Sequence, residues 1–134
     1  MEHFYNIYNA SAGSGKTFNL VKEYLKILLT DEQVDSYKKI LSITFTNKAV
    51  NEMKSRIIEN LNQLTKINLN EKSSPLLDSI KKETGLTNQE IQLKSISILK
   101  SILINYASFN ISTIDKFTQK IIRNFAYEIK IPWM

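Results

Sequence analysis

Cysteine is absent from this sequence of 134 residues, and histidine occurs once. Disulfides, thiolate metal sites and cysteine nucleophiles are therefore excluded. Three glycines and two prolines leave little room for long flexible linkers or collagen-like repeats. The best candidate for a membrane span, residues 91–111, is interrupted by Lys94 and Lys100, so no apolar run reaches the roughly 18 residues that cross a bilayer. No secretory leader is recognisable, and we expect a cytoplasmic chain with no membrane partner.

Basic residues outnumber acidic ones, with 18 lysines and arginines against 13 aspartates and glutamates and a net charge of +5. The excess is uneven, because residues 91–134 carry six basic side chains and two acidic ones. This imbalance is typical of a protein with an anionic partner, and equally of a lysine-rich solvated surface. The hydrophobic share of 43% indicates one ordinary folded domain.

Strand-like and helix-like segments alternate along the chain. Apolar strands are predicted at residues 4–9, 40–45 and 109–114, and helices at about 16–29, 47–64, 76–83, 91–106 and 116–127. The alternation indicates an α/β fold, with three visible parallel strands, helices on both faces and an α-helical insert. Such a sheet is unusually small, so we expect either further strands elsewhere or a fragment of a larger protein.

Residues 10–17 fit the phosphate-loop pattern of nucleotide-binding proteins, with alanine in place of the first glycine. The match directly follows an apolar strand and directly precedes an amphipathic helix, which is the context that the pattern requires. Lys16 would reach the β and γ phosphates of ATP, and the Thr17 hydroxyl would ligate Mg²⁺. The predicted nucleotide-binding residues are Ala10, Ser11, Ala12, Gly13, Ser14, Gly15, Lys16, Thr17 and Phe18, of which Lys16 and Thr17 are also the catalytic candidates.

Hydrolysis of ATP would also need a carboxylate at the end of a second strand. Asp31 and Glu32 close an apolar run, but helical spacing indicates that they lie on a solvated turn. Asp115 is the stronger candidate, because it ends an apolar strand. One alternative is therefore a self-contained small P-loop NTPase or kinase that uses Asp115 for Mg²⁺. Another is a non-catalytic nucleic-acid-binding module based on the basic C-terminal third.

Three segments, in this order, resemble the N-terminal part of UvrD/Rep-type superfamily 1 DNA helicases. The phosphate loop, followed by Phe18-Asn19-Leu20, is similar to motif I, especially as it occurs in the RecB/AddA-like branch. Residues 40–49, with Glu52-Met53 and Arg56-Ile57, are similar to motif Ia. Residues 112–117 are similar to the turn that usually contains T-I-H-S-F.

The resemblance implies the ATP-binding N-terminal part of an ATP-dependent DNA helicase that acts in repair or recombination and moves 3′ to 5′ along single-stranded DNA. It implies a P-loop RecA-like core at residues 1–64, a helical 1B-like insert at 65–107 and a return to the core at 108–134. The remainder of the helicase chain, with a second RecA-like domain, would be a partner. The DNA-binding residues implied are Thr44, Phe45, Thr46, Asn47, Lys48, Thr113, Asp115, Lys116 and Phe117.

The chain also departs from the family pattern. No glutamine precedes the first strand, Asp115 replaces the usual histidine, and nothing after Phe117 resembles the D-E-x-x motif. We therefore expect this chain alone neither to hydrolyse ATP nor to unwind DNA. For Phe45, residue type alone also favours a core aromatic of the strand.

Overall fold

The structure, a computed structural model, describes residues 15–67 and 74–130. Short 3₁₀ turns occupy Ser36–Lys39 and Tyr106–Ser108. The helices and strands of the described ranges are α1 (Gly15–Thr30), β1 (Ser42–Thr44), α2 (Asn47–Thr65), α3 (Pro75–Thr84), α4 (Asn88–Ile104), β2 (Ile111–Thr113) and α5 (Ile114–Glu128).

The described residues contain a two-stranded parallel sheet, in which β1 pairs with β2 and Thr44 lies opposite Thr113. These are the second and third predicted strands, and the first, residues 4–9, lies outside the described residues. The described residues therefore contain two strands rather than the three that were predicted. Both observed strands are shorter than predicted, because the threonines that follow or end them already cap a helix.

Side-chain caps determine where several helices begin. Thr46 accepts a hydrogen bond from the backbone N–H of Ala49 at the start of α2, at 3.1 Å. At the start of α4, the Thr87 hydroxyl accepts from the Glu90 N–H and donates to the Glu90 carboxylate. Such caps satisfy N–H groups that have no partner within the helix. The α3 helix ends at Gly85, whose φ of 73° is a left-handed conformation that suits glycine.

One hydrophobic core connects the helices, with α4 packed along α2 and α3 packed against α1. Tyr37, in the turn after α1, is fully buried, although the residues on either side of it in the sequence are polar. Its ring and that of Tyr24 both contact Phe109 edge-on, with centroids 6.4 and 6.0 Å away. Burial raises the pKa of the Tyr24 phenol above its usual range, and the electrostatic effect of the nearby Tyr37 raises it further.

The face that α4 buries differs in part from the apolar positions that predict this helix in the sequence, which are Ile91, Leu99, Ile102, Leu103 and Tyr106. Ile91, Ser95, Ile98 and Ile102 face the core, whereas Leu103 is 58% exposed. Apolar residues surround this helix, so its periodicity could not identify the buried side. None of the described helices is both long and apolar enough to cross a membrane.

An ion cluster connects α1 to α3. The Glu83 carboxylate lies 2.9 Å from Lys26 Nζ and 3.2 Å from Lys22 Nζ. The hydrogen bond between Lys26 and Glu83 raises the pKa of Lys26 and lowers that of Glu83. Lys22 and Lys26 of α1 are therefore paired within the protein and help to hold α1 against α3.

Candidate nucleotide and nucleic-acid site

The α1 helix begins at Gly15, within the phosphate-loop pattern. Residues 10–14 lie outside the described residues, whereas Lys16 and Thr17 belong to the first turn of α1. That turn contains no acidic residue, so no carboxylate of its own competes for its free N–H groups. The N-terminus of such a helix attracts anions through these N–H groups and the helix dipole.

Phe18 lies on the side of α1 that faces α2 and α3. Its ring is 40% exposed and lines a cleft of about 300 Å³ with Arg56, Glu59 and Leu76 among the other lining residues. Arg56 is ion-paired with Glu52 one helical turn away, at 2.9 Å. The cleft therefore contains both an aromatic ring and a partly neutralised guanidinium next to the start of α1.

The segment between β1 and α2 exposes one aromatic ring. Phe45 is 86% exposed, so the core position that residue type favoured is wrong. The hydroxyl of Thr44 donates to the Thr46 carbonyl at 3.2 Å, and the Thr46 hydroxyl caps α2. These two hydroxyl groups hold the backbone on either side of Phe45, while Asn47 and Lys48 are exposed.

The corresponding segment after β2 starts α5 without an intervening loop. Thr113 is buried, and its hydroxyl accepts a hydrogen bond from the Lys116 N–H at 3.2 Å. Asp115 and Lys116 are exposed in the first turn of α5, and Phe117 is half-buried. A carboxylate in this position stabilises the positive end of the helix dipole, which gives Asp115 a local structural role.

Parallel pairing brings the two segments to the same edge of the sheet, because both strands end there. Between α2 and α5 lies a cleft of about 600 Å³, whose floor includes residues 109–113. We call it the α2–α5 cleft. Of the predicted DNA-binding residues, those that line it are Asn47, Thr113, Lys116 and Phe117, and those that do not are Thr44, Phe45, Thr46, Lys48 and Asp115.

Several residues of the α2–α5 cleft were missed in the sequence. They follow the predicted segments at helical spacing, along the same faces of α2 and α5. That periodicity is the signal that could have found them, once both helices were known to face each other. They are Asn51, Lys54, Lys120, Ile121 and Asn124.

Among the described residues that line the α2–α5 cleft, lysines are the only ionisable ones. Lys54, Lys116 and Lys120 form no ion pair with any of the described residues. Lys54 Nζ instead lies over aromatic rings, 5.0 Å from the Tyr106 centroid and 5.9 Å from that of Phe109. The cleft thus has a positive charge that no described carboxylate compensates, over a floor of both apolar and polar residues.

The part of the chain that the structure describes contains no cluster of three or more histidine, cysteine, aspartate or glutamate residues that could hold a metal ion. Asp31 and Glu32 follow the end of α1 and are exposed, as their spacing predicted. The Asp31 carboxylate accepts a hydrogen bond from the Gln33 N–H at 2.8 Å, which is a local turn contact.

Comparisons with known proteins agree with this arrangement of segments. The chain is 38% identical over 123 residues to an ATP-dependent helicase/nuclease subunit of Lactobacillus johnsonii, covering 92% of this chain and 8% of that protein. Proteins of the same name from Clostridium kluyveri and Bacillus cytotoxicus are 31% and 34% identical over 122 residues, which is 91% of this chain and 8% of each relative.

The chain thus spans about 8% of the length of these curated relatives. No solved structure gives a significant match. Residues 5–133 match the family described as the UvrD/REP helicase N-terminal domain. Since this match includes almost every residue, the chain belongs to the UvrD/REP helicase N-terminal domain family.

Proposed function

We propose that this chain is the ATP-binding N-terminal part of an ATP-dependent DNA helicase and that single-stranded DNA binds where β1 and β2 end. The observation that carries the proposal is the start of α1 at Gly15, inside a phosphate-loop pattern, in a chain of the helicase family. The relatives named above are helicase/nuclease subunits, and this chain corresponds to a small part of their length.

The residues present fit Mg·ATP. The backbone N–H groups of residues 13–17 and the first turn of α1 would bind the phosphates, helped by the absence of an acidic side chain in that turn. Lys16 would neutralise charge on the β and γ phosphates, and Thr17 would offer its hydroxyl to Mg²⁺. The remaining predicted contacts, Ala10, Ser11, Ala12 and Phe18, border this loop in sequence.

Single-stranded DNA would bind along the same edge of the sheet. The exposed ring of Phe45 offers a stacking surface for a base, and stacking tolerates any base sequence. Asn47 and Lys48, which follow Phe45 in the chain, and Lys116, which follows the paired strand, are exposed and would offer hydrogen bonds and positive charge to the DNA strand. Thr44, Thr46 and Thr113 act mainly by fixing the backbone that presents these groups.

The chain would act within a larger helicase. Residues 1–64 and 108–134 would belong to a RecA-like core and residues 65–107 to a helical insert, with a second RecA-like domain supplied by the remainder of the parent chain. The resemblance assigns Asp115 to DNA, where its exposed carboxylate would accept a hydrogen bond from a base amino group rather than contact a phosphate. We expect no ATP hydrolysis by these residues alone, and 3′ to 5′ movement in the parent protein.

The DNA assignment predicts that Phe45→Ala weakens binding of a fluorescein-labelled oligothymidylate. Loss of one base–aromatic stack costs about 1–3 kcal/mol, so we expect about a fivefold or greater loss of affinity in fluorescence anisotropy. Phe125→Ala is the matched control, because Phe125 is 59% exposed on α5 and does not line the α2–α5 cleft. Equal affinities for the two variants would contradict the assignment of Phe45 to DNA.

A further inference from the structure

We propose that the α2–α5 cleft holds one nucleotide of the bound strand, with its phosphate at the lysines and its base against the apolar wall. This inference rests on the proposed binding of single-stranded DNA. It extends the DNA path beyond Thr44–Lys48 and Thr113–Phe117 to Lys54, Lys120 and Ile121, which lie one to two helical turns further along α2 and α5.

Charge indicates an anionic occupant. Three lysines line the cleft, and no carboxylate of the described residues lines it. Lys54 is half-buried, and its contact with the rings of Tyr106 and Phe109 stabilises the ammonium group without neutralising it. A phosphate that approached these lysines would therefore displace no existing ion pair with a described residue.

Shape and polarity favour a nucleotide over a bare phosphate. The volume of about 600 Å³ falls in the range of small-ligand sites, about 300–1,000 Å³. Leu41 and Ile121 line the cleft yet are 46% and 51% exposed, so a flat apolar ring would bury surface that now faces water.

The polar groups on the walls can recognise a base. Asn47 and Asn51 on α2 and Asn124 on α5 each offer an amide donor and an amide acceptor, which match the edge of an unpaired base. In a duplex those edges are paired and the base faces are stacked. The cleft therefore suits a single strand.

The lysines are tested by the salt dependence of binding. We expect Lys54→Gln/Lys120→Gln to weaken binding of labelled oligothymidylate and to reduce the slope of log affinity against log salt by about 0.7, since the cleft holds one phosphate in this proposal and each phosphate contact on a single strand contributes about 0.7. Lys82→Gln/Lys100→Gln makes the same change in charge at lysines outside the cleft. Circular dichroism checks that both variants fold.

The placement of a base against the apolar wall is tested by a substitution that changes no charge. We expect Ile121→Asn to weaken oligothymidylate binding about fivefold while leaving the salt slope unchanged, because it removes apolar contact and no charge. Ile122→Asn is the matched control, since Ile122 is 47% exposed on the same helix but does not line the cleft. The same affinity for both isoleucine variants would overturn the placement of a base in the cleft.

Failure of this inference differs from failure of the proposed function. If the unmodified chain binds oligothymidylate and Phe45→Ala weakens it, but the cleft lysine variant matches its control in affinity and slope, the cleft assignment is wrong and the DNA assignment stands. If the folded, unmodified chain does not bind oligothymidylate at all, both are wrong.

Discussion

The threonine hydroxyl groups near the ends of the strands form hydrogen bonds with backbone groups of the protein. Thr46 and Thr113 each accept a hydrogen bond from a helix N–H, and Thr44 donates to the carbonyl of Thr46. Their acceptor or donor capacity is therefore partly used inside the protein. The groups left for a ligand on these segments are the amide of Asn47, the ring of Phe45 and the exposed lysines.

The structural role of Tyr37 could not be predicted from the residues around it in the sequence. Tyr37 follows a polar stretch, yet its ring is fully buried and its hydroxyl donates to the backbone oxygen of Ser101 at 2.9 Å. The contact joins the turn after α1 to the end of α4. The neighbours of Tyr37 in the sequence are polar, and its hydrogen-bond partner lies 64 residues away, beyond the reach of a local sequence pattern.

We predict that Tyr37→Phe lowers the free energy of unfolding by about 1 kcal/mol, because a buried hydrogen bond is lost while the ring is kept. Urea denaturation followed by circular dichroism measures it. Tyr106→Phe is the control, because Tyr106 also contacts Phe109 edge-on but is 46% exposed. An equal effect of both substitutions would contradict the role given to the Tyr37 hydroxyl.

At the scale of elements, the position of α5 depends on the residue that precedes it. Thr113 ends β2 and caps α5, so the helix leaves the sheet at a fixed point. Apart from Ala126, the residues of α5 are partly or fully exposed, which means that packing alone holds this helix weakly. The cap therefore matters more here than in α2, which buries five apolar residues.

Thr113→Ala is predicted to lower the free energy of unfolding by about 1 kcal/mol and to reduce helix content, since loss of a cap typically costs about 0.5–2 kcal/mol. Thr113→Ser keeps the hydroxyl and should retain most of the stability. Helical circular dichroism and a urea titration provide the two readouts. The cap would be unimportant if the serine and alanine variants unfolded at the same urea concentration.

Local patterns predicted the helices better than the strands. Apolar spacing predicted a helix at residues 47–64, and α2 occupies Asn47–Thr65. The strand predicted at residues 109–114 was too long, because β-propensity and capping compete at Thr113 and Ile114 already belongs to α5. For α4 the predicted face was wrong in part, since Leu103 is exposed and Ser95 is buried.

At the scale of the whole molecule, short contiguous motifs were sufficient to infer the helicase family, while the phosphate loop that they indicate stays a prediction. The α2–α5 cleft could not, because Lys54 and Lys120 come from helices that are distant in sequence and become neighbours only through the pairing of β1 with β2. Sequence patterns show which residues share a helix face. They do not show which other helix that face meets.

The central claim is that this chain binds ATP through its phosphate loop. Isothermal titration calorimetry with Mg·ATP, on the unmodified chain, Lys16→Ala and the surface control Lys82→Ala, tests it most directly. We predict binding by the unmodified chain and the control, and at least about tenfold weaker binding by Lys16→Ala, because that substitution removes the charge that we propose neutralises the β and γ phosphates. Equal affinities for all three folded proteins, or no binding by the unmodified chain, would contradict the claim.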